Sequence, residues 1–78
     1  MPERVLFDEA GAAAQVGRRI KTLVEFSGVP QGTTGRVLRA DRSEDGFTLA
    51  IEWDLPERGK PLVDWFTRSE FTRFLTEL

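Results

Sequence analysis

"FTLAIEWD", residues 47–54, alternates large apolar side chains with small or polar ones without a break. Phe47, Leu49, Ile51 and Trp53 fall on one side, and Thr48, Ala50, Glu52 and Asp54 on the other. That period of two belongs to a strand with one face turned to a core. The preceding "SEDG", 43–46, carries Asp45-Gly46, a pair suited to a tight hairpin. It ties the strand back to "RVLRA", 36–40, an extended pattern holding Val37 and Leu38. Downstream, "LPERGKP", 55–61, reads as a loop and "LVDWF", 62–66, as a further strand.

Upstream, "RRIKTLVEF", 18–26, sets Ile20, Thr22, Val24 and Phe26 on one face of a first strand. "SGVPQGTTG", 27–35, is rich in breakers and joins it to the next. The period changes after Thr67. Glu70 follows three residues later, a capping-box spacing, and Phe71, Phe74, Leu75 and Leu78 then recur as one stripe. This predicts an amphipathic C-terminal helix of about ten residues, marginal in water unless its stripe packs on something. "MPERVLFDEAGAAAQ", 1–15, keeps no period. It is read as a flexible or weakly ordered flank, with a short extended piece at Val5–Phe7 and a weak turn of helix at Ala12–Ala14. The domain proper is residues 16–78.

Composition narrows the function classes. A chain of 78 residues has room for one core. It has neither cysteine nor histidine, which removes disulfides, thiolate ligands, the usual general base and the usual zinc ligand. The net charge of −2 is unevenly spread: residues 1–42 carry seven basic against five acidic side chains, and residues 43–78 four against eight. No stretch reads as a leader or membrane span, so a soluble, cytoplasmic, non-enzymatic domain without cofactor or metal is expected.

The order "VGRRIKTL…VPQGTTGRVLRAD…DGFTLAIEWD…DWFTRSEF", across Val16–Phe71, resembles the SH3-like small β-barrel superfamily. "GTTGRVL" looks like the glycine-centred turn and second strand of its KOW-type members. "DWFTRSEF" is similar to the closing strand and helical turn of small photosynthetic accessory proteins, among them one from photosystem I and the variable chain of ferredoxin-thioredoxin reductase. Plasmid-type dihydrofolate reductases share a barrel of this size, but their pore motif has no match here. The resemblance implies an all-β, five-stranded SH3-like barrel with a short C-terminal helix.

Four groups are candidate sites. Gly32-Thr33-Thr34-Gly35 reads either as an amide cradle for phosphate or as a turn in which Gly35 takes a positive φ or admits close strand approach. The turn is favoured, because the motif lies between strand patterns and lacks the lysine of a P-loop. Arg18, Arg19, Lys21, Arg36, Arg39 and Arg42 could converge as a nucleic-acid face, or be a solvated exterior that guards strand edges. Glu52, Asp54, Glu57 and Asp64 read as an acidic surface rather than an acid–base pair. Trp65 and Phe66 must point to opposite faces, and the resemblance gives the inside to Phe66. Trp65 then either joins Val29, Pro30, Leu55 and Pro56 in an apolar partner site or packs beneath the helix against Phe74 or Leu75. The expected function is a protein-interaction module or accessory subunit. The alternatives are a KOW-like nucleic-acid binder and an oligomeric enzyme with its site between subunits.

Overall fold

The structure, a computed structural model, describes residues 5–26, 28–55 and 62–78. It is mostly β: a five-stranded antiparallel sheet with two short helices. The strands are β1 (Arg19–Thr22), β2 (Thr34–Ser43), β3 (Gly46–Trp53), β4 (Leu62–Phe66) and β5 (Leu75–Glu77). Helix α1 (Glu9–Gln15) precedes β1, and α2 (Arg68–Phe74) links β4 to β5. The order across the sheet is β4-β3-β2-β1-β5.

Strand β3, with its strict alternation, is paired with β2 on one side and β4 on the other. Leu49, Ile51 and Trp53 are buried as that alternation requires, but Thr48 and Ala50 on the opposite face are buried too. For Ala50 the cause is in the register. Its cross-strand neighbours are Arg39 and Trp65, and the Arg39 guanidinium lies 6.0 Å from the Trp65 ring centroid, so the two side chains meet above the alanine. The hairpin turn is Glu44-Asp45, closed by Ser43 opposite Gly46, one residue earlier than Asp45-Gly46.

Ile20, Val37, Leu49, Ile51, Trp53 and Phe66 form the centre of the core. Phe26 meets Trp53 and Phe66 edge to face at 5.6 and 5.7 Å, the geometry aromatic quadrupoles favour.

Three sequence expectations need correction. The first strand stops at Thr22, because the Thr22 hydroxyl donates to the Val24 carbonyl (2.6 Å) and turns the chain. Val24 is consequently exposed rather than in line with Ile20. Residues 5–15 are not a flank outside the core. Phe7 exchanges two backbone hydrogen bonds with Phe47 (3.1 and 2.9 Å), and Phe7 and Ala12 are buried in the same cluster as the strands. Asp8 caps α1 by accepting from the Gly11 amide at 2.6 Å. Finally, the predicted C-terminal helix is too long and does not end the chain. The Thr67–Glu70 capping box forms as expected, but α2 ends at Phe74 and Leu75–Glu77 pairs with β1. A short helix gains little from propensity alone. Strand pairing instead covers the bare edge of β1 while still burying Leu75.

Candidate functional site: the groove along strand β4

The glycine-framed motif is spent on the fold. Gly32 takes φ +89°, the left-handed conformation of a turn. Its amide donates to the Thr22 carbonyl (2.9 Å), and the Thr33 amide donates to the Pro30 carbonyl (3.1 Å). Those amides are therefore already engaged and do not face a phosphate. Gly35 does not take a positive φ; it serves close approach. A Cβ there would lie 2.8 Å from the Glu52 carbonyl oxygen and 2.9 Å from the Trp53 ring.

The cationic residues do not assemble a free basic face. Arg18 pairs with Glu77, Arg19 with Asp54 (2.6 Å), Arg36 with Glu52 (3.4 Å) and Arg39 with Asp41 (2.9 Å). Arg42 lies over the Phe47 ring at 5.4 Å. Among the described residues, only Lys21 and Arg42 of the six stand outside these ion pairs. The acidic residues around the β3–β4 connection are the other halves of this arrangement. Glu52 and Asp54 hold arginines. Asp64 accepts the indole N–H of buried Trp53 at 2.9 Å, and Glu57 lies outside the described residues. The Thr34 hydroxyl and the Arg19 guanidinium hold the Asp54 carboxyl below the usual carboxylate range. Among the described residues no group of three acidic, His or Cys side chains is arranged to hold a metal ion, and no helix is long and apolar enough to cross a membrane.

Of the five residues expected to form the partner site, the four described ones do not share one exposed surface. Val29 is fully buried and belongs to the core, because the chain folds back there to bridge Phe26. Leu55 is half-buried against the core, Pro30 is exposed, and Pro56 lies outside the described residues. Trp65 takes the exposed of its two alternatives, with 53% of its surface in solvent while neighbouring Phe66 is buried. Its indole N–H donates to Asp41 at 2.6 Å. That bond, followed by the Arg39 guanidinium, holds the Asp41 carboxyl below its ordinary range.

An open groove of about 410 Å³ runs beside Trp65. One wall is Val24, Glu25 and Phe26, the turn that follows β1; the other is Asp64, Trp65 and Phe66 of β4. Helix α2 adds Glu70 and Phe74. The lining is mainly apolar and its charged members are carboxylates. Val24 and Phe26 are its unforeseen members, whereas the packed alternative already sets Phe74 beside Trp65. The period-2 reading assigned the first two to a buried strand face, and nothing in the local sequence announces the hydroxyl-to-carbonyl turn at Thr22.

No protein-family model matches the chain, and no curated protein or solved structure matches it either.

Proposed function

We propose that this chain is an SH3-like barrel that works as a non-enzymatic protein-interaction module, docking a larger protein across Trp65 and the adjoining groove. The last strand lies beside the first and one short helix separates β4 from β5, the arrangement that a curled five-stranded sheet of this kind needs. The observation that carries the functional reading is the state of Trp65. Over half of a large apolar side chain is left in water, yet its orientation is already held by the bond to Asp41 and the stacked Arg39. An anchor immobilised in advance loses little side-chain entropy on binding, and tryptophan is among the commonest hot spots. The nucleic-acid alternative is weakened because a phosphate would have to displace the carboxylates that already hold Arg18, Arg19, Arg36 and Arg39.

The test is a paired measurement on Trp65→Ala, with tagged protein used to capture partners from nuclease-treated native lysate. The variant is expected to keep a cooperative melt. Its captured proteins should fall away, since losing a hot spot worth about 2 kcal/mol weakens binding roughly 30-fold. A folded Trp65→Ala that retains the same partners would refute the assignment. Partners that disappear on nuclease treatment of the wild type would favour nucleic acid.

A further inference from the structure

The groove has a feature that bears on what it binds, and the inference deepens and rests on the interaction reading above. Three consecutive residues of β4, Asp64, Trp65 and Phe66, all line it. Side chains of successive strand residues point to opposite faces, so a groove touching all three runs along the strand's edge rather than over one face. β4 is the terminal strand of the sheet, and among the described residues no strand pairs with its outer side. An edge of this kind presents backbone donors and acceptors to a guest. Apolar Val24, Phe26 and Phe74 beside it are ready to receive alternate side chains.

We propose that β4 binds an extended, lysine- or arginine-bearing segment of a partner protein by strand addition, with the guest lying in the groove between β4 and the Val24–Phe26 turn. The charge of the lining selects the guest. Its ionisable lining residues are Glu25, Asp64 and Glu70. Arg39 over Trp65 and Arg73 over Phe74 lie outside the lining, which leaves the groove net acidic, so a basic segment is favoured over an acidic one. Burial of apolar side chains on the floor adds affinity, and main-chain pairing along the edge fixes the guest's direction, as in other strand-addition complexes. A second copy of this chain fits less well. Asp64 is the central residue of the five-residue strand, so antiparallel pairing of two β4 strands would set like charges opposite one another.

The experiment titrates ¹⁵N-labelled full-length protein with a capped hexapeptide of alternating valine and lysine, following amide shifts at low and physiological salt. Three control peptides replace lysine by glutamate, or methylate alternate backbone nitrogens along one edge or along the other. Shifts are expected at Asp64–Phe66 and Val24–Phe26. The glutamate peptide should bind at least about tenfold more weakly, with the difference shrinking as salt is raised. Methylation along one edge of the peptide should abolish binding, while methylation along the other is tolerated. Glu25→Gln with Asp64→Asn, which keeps an acceptor for Trp53, should weaken the lysine peptide and flatten its salt dependence.

The proposal is overturned if neither peptide perturbs β4, or if the glutamate peptide binds equally. Binding that survives methylation of both edges would also overturn it, as would β4 shifts that follow protein concentration without peptide, which assign the edge to a second copy. If capture of partners still depends on Trp65 when the peptides fail, the interaction reading stands and only the class of guest is wrong.

Discussion

Placing a methyl group on Gly35 should be among the most damaging single changes in this domain. Gly35 lies in β2 between Ile20 of β1 and Trp53 of β3. A Cβ at that position would sit 2.8 Å from the Glu52 carbonyl oxygen, 2.9 Å from Trp53 Cε3 and 3.3 Å from Ile51 Cγ2. None of these is the free end of a flexible side chain. Two belong to buried core residues and the third to the backbone of β3, which is paired on both sides. Relief therefore requires β3 to move, and overpacking of this kind costs about 1–3 kcal/mol. Gly35→Ala is assigned roughly 2 kcal/mol and Gly35→Val more, against a total stability of about 4–12 kcal/mol for a chain of this length. The expected fall in Tm for Gly35→Ala is roughly 8–16 °C. Gly32 supplies the contrast. It has φ +89° and no atom within 4 Å of a built Cβ, so its constraint is conformational. Asparagine, which tolerates the left-handed region, should be accepted there with a loss below about 1 kcal/mol. Thermal melts of Gly35→Ala, Gly35→Asn and Gly32→Asn would separate the two mechanisms. A Gly35→Ala melt within about 2 °C of wild type, or Gly32→Asn as costly as Gly35→Asn, would refute the close approach of β2 and β3.

Thr67→Ala removes the hydroxyl that accepts the Glu70 amide at 3.2 Å and should cost about 0.5–2 kcal/mol by chemical denaturation, with Thr67→Ser recovering most of it. Asp41 is held below its ordinary range by Trp65 and then Arg39, so its stabilising contribution is fully present above the unfolded value of about 3.9 and is lost as pH falls through the lower folded value. Trp65 fluorescence should therefore titrate below about pH 4, and Asp41→Asn should remove that transition while leaving stability nearly independent of position 41 in the acid range.

The alternation of Phe47 through Asp54 is enough to place a strand, and the Thr67–Glu70 spacing enough to place a helix start, because both depend on residues within a few positions of each other. The same holds for the opposed directions of Trp65 and Phe66, which follow from strand geometry alone. Arginine positions are legible but their role is not. Arg19 and Asp54 stand 35 residues apart in sequence, Arg18 and Glu77 59, and only the sheet register brings them into ion pairs.

Side-chain period, backbone conformational preference and short-range hydrogen bonding settle the class of this molecule: one small β-rich domain, its main strands, its helix cap and the opposed directions of Trp65 and Phe66. They do not settle which apolar residues are spent on the core and which remain to meet a partner. Val29, taken for surface, is buried because the chain doubles back to Phe26. Val24, taken for core, is exposed because Thr22 ends β1 early. Leu75, read as helix, is a strand because β1 had an edge to cover. Only the last turns on a neighbour distant along the chain; the first two turn on hydrogen bonds two or three residues long that no apolar–polar period announces. A local pattern states what a segment is able to do, whereas burial and pairing depend on which other segment reaches it in space.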